Sequence, residues 1–197
     1  MDYAKMRVIA EELMEYAERL EGSWTVEIGP SGPRLAMITR SKRRAGTVRR
    51  IRDQLDDQLP TTHPGHICAN GPEIEHPPTS RMRLPDALVI PEAVLDEEGL
   101  AVDATQVLAV IEIASPSNPN SNNDNYGEKL IEYPAMGIGH CMIVDPRTGT
   151  IEVHSEPCAG RYGNKEPYIF GDEVPFGPWS VETAAFRRYG RPGSVES

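Results

Sequence analysis

The sequence predicts an α/β domain with a central mixed β-sheet flanked by helices. Two runs, 86–90 and 107–113, are apolar without alternation, as is typical of central strands covered on both faces. Segments 3–20 and 42–59 carry apolar residues at the helical period, and turn residues separate them from strand-like segments. The chain has 197 residues, of which 39% are hydrophobic, enough for one buried core. We therefore expect one domain over 1–197, with its core at 24–155 and a tail at 159–197.

The N-terminal third predicts a helix, a strand pair and a second helix. In the first helix, 3–20, one face is apolar and Gly22 lies just past its end. The segment 24–28 alternates as a strand does, and the Gly- and Pro-rich stretch 29–33 turns the chain into a second strand at 35–39. The next helix has a predicted buried side formed by Val48, Ile51, Leu55 and Leu59.

The rest of the chain reads mainly as strands. Asn70-Gly71 lies between two short strand-like segments and predicts a β-hairpin, because both residues tolerate positive φ. After the two apolar strands, a polar loop (115–125) leads into a short helix around 126–133. The segments 140–144 and 150–154 predict another hairpin. In the tail, we expect a strand at 167–170 and a short helix at 181–189.

Composition excludes several classes of protein. No run of about 18 apolar residues could span a membrane, and the acidic residues within 1–20 exclude a secretory signal. Three cysteines without CxxC spacing argue against a disulfide framework and favour a reducing cytoplasm. His63, His66 and Cys68 could hold a transition metal, but the Pro-Gly between the histidines favours a plain loop.

Charge is unevenly distributed along the chain. The formal net charge of −10 opposes binding to nucleic acid, yet residues 28–52 contain eight basic side chains and no acid. We call this segment the basic stripe, and its candidate nucleic-acid contacts are Arg40, Lys42, Arg43, Arg44, Arg49 and Arg50. A solvated helix face, paired with acids that follow at helical spacing, explains the stripe equally well.

Two acids in the apolar strands are the main candidates for chemistry. Glu112 interrupts a run that should lie in the sheet centre, where a carboxylate is costly unless a cation or strong donors compensate for its desolvation. Asp86 heads the other apolar strand, behind Pro85. Together they would offer hard oxygen ligands to a divalent cation such as Mg²⁺. The alternatives are a Glu112 that reaches solvent or pairs with an arginine, and an Asp86 that merely belongs to a turn.

Lys129 lies on the helix that follows the Glu112 strand. There it could orient an attacking water and stabilise the charge of a phosphate, with Tyr126 and Tyr133 on the same helix. The alternative is a solvent-exposed lysine paired with Glu128 or Glu132.

The ordered series of these segments resembles a known family. Pro85-Asp86-Ala-Leu-Val-Ile90, then Val110-Ile-Glu112-Ile-Ala-Ser115, then Lys129 to Tyr133 and Ile143-Val-Asp145-Pro146 are similar to the Uma-type family. That family belongs to the PD-(D/E)XK superfamily of restriction-endonuclease-like nucleases. The resemblance covers 85–154 well and 24–59 more loosely.

The resemblance implies a restriction-endonuclease-like core and a Mg²⁺- or Mn²⁺-dependent hydrolysis of DNA. Asp86 and Glu112 would be metal ligands, assisted by the Ile113 carbonyl, and Glu27 an auxiliary acid. The superfamily's usual lysine position is Ala114 here, so that Lys129 would take its role. Where the family often has a histidine, at the start of the second helix, this chain has Arg43-Arg44-Ala45. A homodimer would follow by analogy.

Two other classes of function remain open from the sequence. The first is a non-catalytic module that keeps the fold and binds nucleic acid or protein. The second is a metal-dependent phosphohydrolase acting on a small nucleotide. Affinity for long duplex DNA would separate the second from the others, and Mg²⁺-dependent cleavage would separate the nuclease from the binding module.

Overall fold

A computed structural model describes residues 2–38, 41–115 and 124–190. The α-helices are α1 (Tyr3–Ala17), α2 (Lys42–Thr62) and α3 (Asp124–Ala135), and short 3₁₀ helices span Pro77–Thr79, Glu92–Asp96 and Ala104–Gln106. The strands are β1 (Trp24–Gly29), β2 (Gly32–Met37), β3 (His66–Ala69), β4 (Glu73–His76), β5 (Arg81–Arg83), β6 (Ala87–Pro91), β7 (Ala101–Asp103), β8 (Ala109–Ile113), β9 (His140–Asp145), β10 (Thr150–Cys158), β11 (Arg161–Ile169), β12 (Glu173–Phe176) and β13 (Trp179–Glu182).

The larger sheet is mixed and has the order β11-β10-β9-β8-β6-β3. Its β8 and β9 run parallel, while β6 pairs antiparallel with both β8 and β3. Because successive residues of a strand face opposite sides of the sheet, a strand buried on both faces is apolar throughout. All five residues of β8 are buried, and so are the first four of β6. The prediction of a mixed sheet with covered central strands is confirmed.

Two helices cover the two faces of these central strands. On one face, Ile51, Leu55 and Leu59 of α2 pack in one core cluster with Val89 and Ile111. The buried residues of α2 follow a four-residue spacing, and the helix begins at a cap in which the Ser41 hydroxyl accepts a hydrogen bond from the Arg44 amide. On the other face, Tyr133 of α3 and Met136 just past the helix pack with Leu88 and Val110.

The second sheet, of order β2-β1-β5-β4-β7, carries α1 against it. Met6 and Ala10 of the helix pack with Val26, Ile28 and Met82 of the sheet. The short β5 ends at Arg83, and the chain passes through Leu84-Pro85-Asp86 into β6 of the larger sheet. This crossing connects the middle strand of the second sheet to an inner strand of the larger sheet, and the candidate site lies there.

Two local predictions are wrong. The strands on either side of Asn70-Gly71 do not form a hairpin, because β3 pairs with β6 while β4 pairs with β5 and β7. The turn at Gly71, where φ is 118°, instead carries the chain from one sheet to the other. The predicted helix at 181–189 is also absent from the described residues: β13 ends at Glu182, and Trp179 and Val181 alternate inward as strand residues do.

The hairpin predicted across Asp145–Thr150 is confirmed by the antiparallel pairing of β9 with β10. Among the residues that the structure describes, no helix is long and apolar enough to cross a membrane.

Candidate active site

Asp86 and Glu112 face each other across two adjacent strands. The antiparallel register pairs Ala87 with Ile111, so that one further step places Asp86 opposite Glu112. A hydrogen bond from the Asp86 amide to the Ile111 carbonyl (3.0 Å) extends the strand pairing to this position. Residues opposite each other in an antiparallel pair share a face, with Cβ atoms about 5 Å apart. Both side chains line one cleft, as expected if they act on a common ligand.

Glu112 is buried and held by two donors. It is the fourth of the five residues of β8, and it is 3% exposed. One oxygen, Oε1, accepts hydrogen bonds from Lys129 Nζ (2.7 Å) and from the Tyr133 hydroxyl (2.5 Å). Within the described residues, no donor bonds to the other oxygen, Oε2. Desolvation raises the pKa of Glu112 above its ordinary value, and the nearby Asp86 adds to the rise, against the lowering by Lys129 and Tyr133.

Lys129 lies between two carboxylates rather than in solvent. Its Nζ is 2.7 Å from Glu112 Oε1 and 3.3 Å from Glu27 Oε1, and the Leu84 carbonyl lies 3.5 Å away. Burial alone would lower the pKa of this amine, but the attraction of Glu112 and Glu27 outweighs it, and the pKa is raised. Lys129 therefore stays protonated. The alternative of a pair with Glu128 or Glu132 on its own helix does not occur.

The Asp86 carboxylate accepts hydrogen bonds from two other groups. Its Oδ1 accepts from Arg44 Nε and lies equally close to Arg44 Nη2, both at 2.7 Å. Its Oδ2 accepts from the backbone amide of Ile113 at 2.7 Å. The sequence predicted Arg44 as an exposed member of the basic stripe, and its exposure is wrong, because the guanidinium turns inward to the acid. It does so because a half-buried carboxylate without a cation would be costly. The contact of Arg44 with nucleic acid stays a prediction.

A buried ion network lies behind the site. Arg83 of β5 is fully buried and binds Glu27 at 2.9 Å, Glu132 at 2.5 Å and Glu128 at 3.1 Å. The cations around Glu27 lower the pKa of its carboxyl to about 2, against the opposing effect of burial. Glu27 therefore contacts Lys129 on one oxygen and Arg83 on the other, and it connects the network to the cleft.

The cleft has a volume of about 520 Å³. Besides the acids and Lys129, its walls include Arg34, Arg44, Ile113 and Tyr126. Burial, Glu112 and Asp86 raise the pKa of Tyr126, so its hydroxyl stays protonated. The cleft thus combines acidic groups, fixed cations and a neutral hydroxyl, all able to contact an anionic substrate.

The donor set fits a hard divalent cation. Mg²⁺ is commonly held by one or two carboxylates, with waters and substrate oxygens completing its shell. Asp86 and Glu112 supply two such carboxylates to the same cleft, and Glu112 Oε2 is not engaged by a described donor. Across residues 2–38, 41–115 and 124–190, no three His, Cys, Asp or Glu side chains are grouped to hold an ion by themselves. The arrangement therefore suits a cation shared with solvent and substrate.

Comparison with known proteins identifies the family. A family model described as "Uma2: Putative restriction endonuclease" matches residues 11–178. The chain belongs to the Uma2 family. The same family relationship accounts for the ordered series of residues that runs from Pro85 to Pro146.

A solved structure shares the fold of this Uma2 family member. It is a protein from Anabaena variabilis described as "a putative nuclease belonging to DUF820". The two chains are 12% identical and superpose with a TM-score of 0.60, over 80% of this chain and 85% of the other. No curated protein matches the sequence at a significant level. The family relationship and the shared structure together establish the restriction-endonuclease-like fold.

The rest of the basic stripe lies at the start of α2. Lys42, Arg43, Arg49 and Arg50 are exposed, whereas Arg40 lies outside the described residues. Arg49 pairs with Asp53 at 2.6 Å, one turn along the helix, and Arg43 Nη1 donates to the Arg188 carbonyl. Part of the stripe is thus engaged within the protein, and its role in binding nucleic acid stays a prediction.

Sequence reasoning missed Arg83 and the partner of Arg44. A signal for Arg83 was available, because Glu128 and Glu132 are four residues apart and so share one face of a helix that must pack beside Asp86. Two acids on a buried face require a cation, and the only basic residues immediately before Pro85 are Arg81 and Arg83. No comparable local signal exists for Arg44, which meets Asp86 only through the tertiary fold.

Proposed function

We propose that the protein is a metal-dependent endonuclease that hydrolyses phosphodiester bonds in DNA. The observation that carries this proposal is the pair Asp86 and Glu112, opposite each other on adjacent central strands, with a buried protonated lysine against Glu112. The family relationship supports the same reaction class. In this reaction, water attacks the phosphorus atom and one bridging P–O bond breaks.

Each group of the cleft has a distinct part in this reaction. Asp86 and Glu112, with the Ile113 carbonyl, would hold Mg²⁺ or Mn²⁺. Such an ion, when bound, lowers the pKa of a water and neutralises charge that develops on the phosphate. The hydrogen bond from Tyr133 and the contact with Lys129 fix the Glu112 carboxylate, because both partners come from the same buried helix.

Lys129 acts as a charge partner and not as a base. Its pKa is raised by Glu112 and Glu27 despite burial, so that the amine holds its proton at neutral pH. A fixed ammonium beside the phosphate stabilises negative charge in the transition state, where such preorganised charges are most effective. Glu27 would be an auxiliary acid in the sense that it holds Lys129 from the other side.

DNA would approach along the exposed basic residues of α2. Phosphate contacts by Lys42, Arg43, Arg49, Arg50 and, outside the described residues, Arg40 would position the duplex without reading its sequence. We further propose that the protein is cytoplasmic and acts as a homodimer, which would allow both strands to be cut.

The test is cleavage of a supercoiled plasmid with Mg²⁺ or Mn²⁺, and with EDTA as the metal-free control. We expect nicked and linear products for the wild type, and a loss of at least about 10²-fold for Asp86→Asn and Glu112→Gln. Cleavage that survives in both variants, or that is unaffected by EDTA, would refute the proposal.

A non-catalytic binding module is the second candidate. The observation that favours it is that side chains of the protein already neutralise both acids, Arg44 at Asp86 and Lys129 at Glu112. A protein of this kind would bind duplex DNA with a salt-dependent affinity and leave the plasmid intact under all the metal conditions above.

A further inference from the structure

Arg44 is placed where it must affect any cation bound at Asp86. The side chain comes from the first turn of α2, whose start is fixed by the Ser41 cap. Two of its nitrogens are 2.7 Å from one oxygen, Asp86 Oδ1, and the other oxygen is taken by the Ile113 amide. Both oxygens of this predicted ligand are thus occupied by donors of the chain itself.

The two carboxylates of the site differ in how many of their oxygens accept hydrogen bonds. Lys129 and Tyr133 both bond to Glu112 Oε1, so Oε2 has no donor among the described residues. At Asp86, a divalent ion would need an oxygen at about 2 Å. A guanidinium that stays at hydrogen-bond distance from Oδ1 would then lie within a few ångströms of the ion, and the two like charges would repel strongly in a partly buried site.

We propose that Arg44 is a built-in counter-ion that competes with the divalent cation for Asp86 and thereby weakens metal binding. The inference rests on the proposed function, since it takes Asp86 and Glu112 as the metal ligands. Arg44 holds Asp86 in place without metal, and it must leave Oδ1 when the ion enters.

The neighbouring space gives the displaced side chain a place to go. A second cleft of about 290 Å³ borders both Arg44 and Asp86, on the side of the basic stripe. Its walls include Ser41, Val48 and Arg52. A guanidinium that turns into this cleft leaves Asp86 to the metal and lies on the path proposed for the DNA backbone.

The competition can be measured without any cleavage assay, by calorimetric titration of Mn²⁺ into the protein. We expect Arg44→Gln to bind Mn²⁺ about tenfold more tightly than the wild type, because the competing charge is gone. Arg44→Lys keeps the charge and should bind within about threefold of the wild type. Arg161→Gln, which removes the same charge from an exposed position on β11, is the matched control and should change nothing.

Two other outcomes of this titration would overturn the inference. Equal or weaker binding by Arg44→Gln, with binding abolished by Glu112→Gln, would show a metal site in which Arg44 does not compete, and the proposed function would survive. Failure of Mn²⁺ to bind to the wild type and to Arg44→Gln alike would overturn both the inference and the metal-dependent function.

A second measurement uses the unaltered protein and so does not depend on how the variants fold. In a ¹⁵N NMR titration with Mg²⁺, the Arg44 Nε–H resonance should move with the same midpoint as the backbone amide of Ile113, because both groups donate to Asp86. An Arg44 resonance that stays fixed while the Ile113 amide responds would contradict the displacement.

Discussion

Replacing Glu27 by glutamine tests whether the buried ion network stabilises the fold. The change keeps the shape of the side chain but removes the charge that Arg83 and Lys129 both contact. The pKa of Glu27 is lowered from 4.5 to about 2, which corresponds to about 3 kcal/mol of stability. Removal of one partner from a buried ion pair costs about 3–5 kcal/mol, so the two arguments agree.

The sign of the pH dependence follows from the lowered pKa. Ionised Glu27 stabilises the folded state fully at pH values above about 4.5, and this contribution is lost as the pH falls towards 2. In urea unfolding at pH 7, Glu27→Gln should lower the free energy of unfolding by about 3 kcal/mol. At pH 3 the difference should shrink to between about 1 and 2 kcal/mol, because the Glu27 carboxyl of the unfolded chain, with its ordinary pKa of 4.5, is then already mostly protonated.

The matched control is Glu11→Gln on α1. This glutamate is 66% exposed and 3.8 Å from Arg7, so the substitution should change the free energy of unfolding by less than about 0.5 kcal/mol at either pH. A Glu27→Gln difference as small as that of the control at pH 7, or one of equal size at pH 3 and pH 7, would refute the reasoning.

Three further outcomes are expected. Lys129→Met should reduce plasmid cleavage at least about 10²-fold while the exposed Lys165→Met has no effect, and equal rates for both would remove Lys129 from the mechanism. Between pH 5 and pH 7 the free energy of unfolding of the wild type should fall relative to that of Glu112→Gln as the pH rises, since the raised pKa of Glu112 means that its ionised form opposes folding; a parallel pH dependence of the two proteins in urea unfolding would contradict this sign. The basic stripe is tested by measuring duplex affinity against salt concentration for a triple alanine variant of the stripe and for a control that replaces three exposed basic residues elsewhere. The stripe variant should bind all sequences more weakly, and the slope of its affinity against salt should be flatter by roughly one unit per lost contact. Equal slopes for the two variants would assign the stripe to solvation. The stripe variant replaces Lys42, Arg43 and Arg50, and the control replaces Lys5, Arg19 and Lys165.

The sequence predicted the parts of the site that depend on strand burial. An acid in a run of apolar residues, such as Glu112, can be recognised because the period of the run fixes both its strand and its burial. The same reasoning placed Asp86 at the head of a neighbouring strand. Lys129 was placed by its helix and by the family resemblance, and the structure brings it to Glu112 as expected.

Features that depend on distant contacts could not be predicted in the same way. Asn70-Gly71 has the local chemistry of a hairpin turn, but β3 pairs with β6 of the larger sheet and β4 pairs with β5 of the second sheet. Arg44 looked like its exposed neighbours in sequence, and only the packing of α2 against the larger sheet brings it to Asp86. Charge pairs of this kind follow from the fold and leave no local pattern.

The position of a bound metal tests the central claim most directly. Crystals soaked with Mn²⁺ would give an anomalous signal at the ion itself. We expect one peak in the cleft, about 2 Å from a carboxylate oxygen of Asp86 and of Glu112, with the Arg44 guanidinium turned away from Asp86. A peak elsewhere, or no peak in this cleft at a concentration that supports cleavage, would contradict the assignment of these two acids as the metal ligands.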